Sequence, residues 1–168
     1  MLRRATLLGL LLACSAISAA AQEIRREAAP NAPIAKSVEL PAGSRIVYVS
    51  GTVPNVADPA AARGSAQRYG DTAAQTRSVL RTIESRLKAH GMTLSDVVMM
   101  RVFLVRPRGS QAMDFAAMMT AYREFFGTAA QPNRPARSTM EVAGLVDPDW
   151  LVEIEVTAAR PPSPARRP

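Results

Sequence analysis

Nine consecutive residues, VVMMRVFLV from Val97 to Val105, are apolar except for Arg101. The run is too short for a membrane span, and its β-branched residues predict a strand. A strand that is apolar at both odd and even positions is buried on most of both faces, in the middle of a sheet. The chain must therefore supply neighbouring strands and a cover for each face.

The neighbours can be read in order. Ser37 to Leu40 is a short strand, Pro41 to Ser44 a turn, and Arg45-Ile-Val-Tyr-Val49 a second strand that ends at Ser50-Gly51. A glycine there permits a sharp turn or a close approach. Asn55 to Arg68 is a polar, Ala-rich loop. Asp71 can cap a helix whose core-facing stripe is Ala73, Val79, Leu80, Ile83 and Leu87. His90-Gly91 ends that helix, so the only histidine reads as a cation at a helix C-terminus rather than a catalyst. Arg106 to Ser110 is a turn after the central strand. Phe115, Met118, Tyr122 and Phe125 mark a second helix, with Met113, Met118 and Met119 as core filler. Gly127 to Pro135 is a loop, followed by strands from Arg137 to Leu145 and Leu151 to Ala159. The order β-β-α-β-α-β-β predicts an α+β domain with one sheet and two helices packed on one of its faces. Few aromatics and no third layer remain for the other face, which predicts another subunit as its cover.

The first residues read as an address. Arg3 and Arg4 precede ATLLGLLLACSAIS, and Ala19-Ala20-Ala21 fits a cleavage site before Gln22. Residues 1–21 are expected to be a signal peptide, giving a periplasmic or secreted protein. Alternatives are an uncleaved anchor, or lipidation at Cys14 within Leu11-Leu12-Ala13-Cys14, the case in which the chain would be a membrane-attached lipoprotein. Residues 22–36 read as a flexible lead-in and 161–168 as a disordered tail. The formal charge is +7; without Arg3 and Arg4 it is 7 − 2 = +5, and Arg160, Arg166 and Arg167 lie at the C-terminal end. With no Lys/Arg cluster interleaved with aromatics, no nucleic-acid partner is expected.

Little conventional chemistry is available. Cys14 is the only cysteine and His90 the only histidine, so no metal site and no Ser-His-Asp triad is expected. No glycine-rich phosphate loop occurs, and no cofactor is expected. An arginine and two acids remain. Arg137 lies where the turn-prone NRPA meets a strand, and its guanidinium can fork onto a carboxylate. In LVEIEV, Glu153 and Glu155 share one strand face, roughly 7 Å apart. Both acids can equally face water, and Arg137 can equally serve a salt bridge. The residues alone therefore lead to an oligomeric α+β domain with a candidate anion site.

The segments YVSGTVP, TAAQTRSVLRTIESRLKAHG, TAYREFF, RPARSTMEV and LVEIEVTA resemble the Rid (YjgF-type) family over about Ile34 to Arg160. The pairing of PARS with VEIE at this spacing is the most specific part. The resemblance implies a Rid-like domain over 37–160, a chorismate-mutase-like fold and a homotrimer with clefts between subunits. It implies hydrolysis of reactive enamines and imines of the 2-aminoacrylate type to 2-oxo acids and ammonia, without cofactor or metal. Carried over by position, Arg137 grips the substrate carboxylate and Glu153 orients water or moves protons. Ser50 and Gly51 line the cleft, and Glu155 is their solvent-side neighbour. Such geometry would hold the C=N carbon near a bound water.

Two positions depart from the family pattern. Ser37, expected by position among the substrate-binding residues, stands where active deaminases carry a tyrosine, and Met119 where they carry an asparagine. Export also differs from the cytosolic setting in which pyridoxal-phosphate enzymes make such enamines. The alternative is a non-catalytic member that binds small carboxylates in a regulatory role. An apolar wall beside Arg137 would favour it, and a polar, water-accessible cleft would favour hydrolysis.

Overall fold

The structure is a computed structural model, and it describes residues 23–162. The expected leader, with Cys14, and residues 163–168 of the expected tail lie outside the described residues.

The main sheet has four strands: β3 (Arg45–Thr52), β4 (Val97–Val105), β5 (Ala136–Val142) and β6 (Val152–Arg160). Their spatial order is β3-β6-β4-β5. The apolar run is β4, and it is an interior strand as its composition requires. It pairs antiparallel with β6 and parallel with β5. The parallel pair needs a crossover, and the segment containing helix α3 (Phe115–Tyr122) supplies it. Helix α2 (Thr72–Ala89) packs beside α3 on the same sheet face. Asp71 caps α2 by accepting from the Ala74 N–H at 2.8 Å. His90 is its C-cap, followed by Gly91 at φ 67°, a left-handed turn suited to glycine. Between β3 and α2, in the expected polar loop, lies the single turn α1 (Ala66–Tyr69).

The two faces of the sheet differ sharply. Met100, Val102 and Leu104 of β4 and Val152, Ile154 and Val156 of β6 are buried under Val79, Leu80, Ile83 and Leu87 of α2 and Met118 and Tyr122 of α3. The opposite face is open in the single chain: Tyr48 is 78% exposed, Ile46 43% and Met140 37%. β4 is thus fully buried on one face only.

Three expectations are corrected. The first strand of the expected order, β2 (Ser37–Glu39), is not in the main sheet; it pairs with β1 (Arg25–Glu27) in a separate antiparallel ladder. The described part of the expected flexible lead-in, 23–36, is accordingly not a loose segment. Arg26 donates to the Ser95 carbonyl at 3.1 Å, and buried Ala35 bridges to Ala136 while its N–H donates to the Pro135 carbonyl. These anchors satisfy backbone groups that composition alone assigned to solvent. In α3 the buried partner of Tyr122 is Phe126 rather than Phe125, because the helix ends at Tyr122. The chain then turns so that the Phe126 ring stacks on Tyr122 at 4.9 Å.

Candidate active site

Arg137 is the second residue of β5, an edge strand of the main sheet. Its register partner is Met100, so its side chain lies on the helix face, beside α3. The guanidinium carbon stands 4.4 Å from the Tyr122 ring centroid and 5.9 Å from that of Phe115. Nη2 donates to the Met119 sulfur at 3.1 Å. Phe115, Met119 and Tyr122 reach the same arginine because positions i, i+4 and i+7 share a helix face. Nε and Nη1 are buried and have no partner among the described residues.

The electrostatics are one-sided. Burial holds the Arg137 pKa below the ordinary arginine value, and Tyr122 acts weakly the other way. The guanidinium nonetheless remains charged. Burial also pushes the Tyr122 phenol up to about 12, with Arg137 and Arg134 opposing. Its O–H donates to the Pro33 carbonyl at 3.0 Å, so the ring rather than the hydroxyl faces Arg137. Each unpaired buried donor costs roughly 1–3 kcal/mol. Set against two rings and a thioether, with two such donors, this cation has no anion paired with it among the described residues, and a carboxylate would supply one.

Glu153 lies elsewhere. It pairs with Phe103, three positions further along β4 than Met100, and so points to the open face. Two strands and three residues separate its Cα from that of Arg137 by roughly 14 Å, on opposite faces. The shared cleft expected for these two residues is therefore not formed within one chain. Gly51 does meet Glu153: a Cβ on Gly51 would run into Oε1 and fall 2.9 Å from Cδ of Glu153. The β3–β6 register shifts at this point, between Val49 and Thr52. Glycine at position 51 thus leaves room for the approach of a carboxylate rather than serving a turn.

The remaining candidates fall out as follows. Ser50 lines a groove of about 280 Å³ on the open face with Tyr48, Arg101 and Glu155. Glu155 is paired with Arg101, whereas Glu153 has no charged partner among the described residues. Ser37 donates to Glu27 at 3.2 Å and makes no hydrogen bond to Arg137. Sequence reasoning missed the cage itself. Phe115 and Tyr122 were read as part of a core stripe with Met118 and Phe125, and Met119 as core filler at the position of a family asparagine, although the spacing of all three already put them on one face. Among the described residues no three His, Cys, Asp or Glu side chains are grouped to hold a metal ion.

The family model described as Endoribonuclease L-PSP matches residues 26–160. The chain belongs to this family. Among curated proteins it is 37% identical over 126 residues to the 3-aminoacrylate deaminase RutC of Acinetobacter baylyi, covering 75% of this chain and 88% of that one. Among solved structures it resembles the Rid-family protein YyfB of Yersinia pestis, with a TM-score of 0.61 and 25% identity over 84% of this chain and all of that one. It also resembles E. coli TdcF with bound serine, with a TM-score of 0.54 and 28% identity over 83% of this chain and 97% of that one. The α+β Rid-type fold and Rid membership read from PARS and VEIE both stand. The relatives' names range from endoribonuclease to deaminase, so membership by itself does not fix the reaction.

Proposed function

We propose that the protein is an imine/enamine deaminase of small 2-amino-acrylate-type carboxylates, working as a homotrimer without cofactor. The observation that carries this reading is the caged Arg137 guanidinium with its two unpaired nitrogens. Support also comes from the 37% identity to a 3-aminoacrylate deaminase.

In this reading the cleft is shared between copies. The β5 edge of one subunit, with Arg137, lies against the open sheet face of the next, with Glu153 and Gly51. This arrangement covers Tyr48 and Ile46 and brings an acid toward the unmatched cation. Arg137 holds the substrate carboxylate by charge-assisted hydrogen bonds. Glu153 takes a proton from water as its oxygen attacks the C=N carbon. That proton passes to nitrogen to give a carbinolamine. Glu153 then carries the hydroxyl proton to the same nitrogen as the C=O bond forms and the C–N bond breaks, and ammonia and a 2-oxo acid leave. An enamine enters the same path after protonation at its terminal carbon. Export past residue 21 belongs to the same proposal, and N-terminal sequencing of the protein from an envelope extract should begin at Gln22.

A second reading, carboxylate binding without hydrolysis, is favoured by the apolar wall of Phe115, Met119 and Tyr122 beside Arg137. The deaminase reading meets this by drawing its polar half from the adjacent copy. The test is loss of 2-iminopropanoate, generated in situ by an amino-acid oxidase, on addition of purified protein. Acceleration that vanishes in Arg137→Ala supports hydrolysis. A correctly assembled trimer that binds 2-oxo acids without accelerating imine loss supports the second reading.

A further inference from the structure

The side chains set against the Arg137 guanidinium are two aromatic rings, Phe115 and Tyr122, and the Met119 thioether. Tyr122 presents its ring because its hydroxyl is engaged by the Pro33 carbonyl. Phe115 stands 42% exposed, with apolar area left uncovered beside the cation. Met119 occupies Nη2, the nitrogen common to both two-bond edges of the guanidinium. A thioether is a weak acceptor for so strong a donor, and an arriving carboxylate would displace it. With Nε and Nη1 buried, a ligand can reach them only if part of this wall moves. Methionine is unbranched and flexible, so it can swing aside and repack against whatever the carboxylate carries.

We propose that this site is built for 2-imino and 2-oxo acids with a bulky apolar substituent, branched aliphatic or aromatic, and that Met119 sets the preference. The proposal rests on the carboxylate-clamp reading of Arg137. A methyl substituent leaves the exposed Phe115 ring uncovered. A larger one fills the space between Phe115 and the displaced Met119 and removes apolar surface from water. Met119 is a specificity-determining residue here, since its thioether would touch the substituent.

The test is calorimetric titration of the purified full-length protein with four 2-oxo acids: 2-oxopropanoate, 2-oxobutanoate, 2-oxo-4-methylpentanoate and 2-oxo-3-phenylpropanoate. Kd should fall along the series by about fourfold per buried methylene. Met119→Leu should keep the ranking and Met119→Asn should flatten it; the wild-type and Leu series stand even where the Asn variant folds poorly. The corresponding imines, supplied by an amino-acid oxidase, should be hydrolysed in the same order of kcat/KM. Tightest binding of 2-oxopropanoate, or an unchanged ranking in a folded Met119→Asn protein, overturns the proposal. Ranked binding with no hydrolysis of any imine overturns the deaminase reading and leaves this one standing. No binding by any of the four overturns both.

Discussion

Arg137 and Arg160 lie towards the same end of the sheet and have opposite fates. Arg160, the last residue of β6, has a side chain 42% exposed and forks onto Asp96 through Nε and Nη2 at 2.9 and 2.8 Å. Arg137 is more enclosed and, among the described residues, has a thioether as its one acceptor. Their pKa values move in opposite directions: the Asp96 hydrogen bond raises that of Arg160, and burial lowers that of Arg137. Selection for stability alone would give the enclosed cation a partner before the exposed one. The contrast marks Arg160 as a fastener of the fold and Arg137 as a group kept free for a ligand or a neighbouring copy.

The contrast breaks most readily by deleting each arginine in turn. Arg137→Ala should lower kcat/KM for imine hydrolysis by roughly a thousandfold, the worth of two charge-assisted bonds at about 1.5–3 kcal/mol each. Its melting temperature should be unchanged or higher, since a caged cation is relieved. A large fall in melting temperature with activity retained would reverse the roles assigned to the two arginines. Glu153→Gln comes next, with kcat down by about a hundredfold and 2-oxo-acid binding preserved, as for a proton-moving group. Equal loss of binding and turnover would make Glu153 a structural residue instead. Mixing the two inactive variants sharpens the comparison further. If each cleft draws Arg137 from one subunit and Glu153 from the next, mixed trimers regain part of the activity. No recovery after verified subunit exchange would sink the shared cleft.

How much of this was legible in the sequence depended on the range of the interaction. The β4 run, the Asp71 cap and the His90-Gly91 stop were readable because local composition and spacing dictate them. β1 was not, because its strand state depends on Arg26 reaching carbonyls about seventy positions away, and on Ala35 meeting Ala136. For the site, Arg137 was visible as an arginine at a loop-to-strand junction. Its sheet face was not, since parity depends on the register with Met100, which a sequence does not display. The same parity puts Glu153 on the other face, so one chain alone does not bring the two together, and the pairing expected from the resemblance is left to the cleft between subunits that it implies.

A smaller effect tests the Glu153 half-site without touching a charge. At Gly51 an added Cβ would run into Oε1 of Glu153, and the carboxylate is the end of a flexible chain that can swing away. Gly51→Ala should therefore cost about tenfold in kcat with little change in stability, and kinetics beside thermal denaturation would read both. A full-speed Gly51→Ala enzyme would mean that Glu153 has no need of the position it holds here.

The smallest effect belongs to the fastener. Burial alone would raise the Asp96 pKa, but hydrogen bonds from Arg160 and from the Thr93 backbone, with the charge of Arg160, hold it below the ordinary carboxylate value. A group depressed on folding adds stability above its unfolded pKa, and that stability is lost as pH falls through the folded one. Wild type and Arg160→Ala should therefore differ by about 1 kcal/mol at neutral pH, a figure reduced for solvent screening of a half-exposed pair. The gap should close as the medium is acidified below the usual Asp range. Arg137→Ala should show no such closing gap, because among the described residues no carboxylate is paired with Arg137. A pH-dependent stability difference for Arg137→Ala that appears only in the assembled oligomer would be the signature of an acid donated by the adjacent copy.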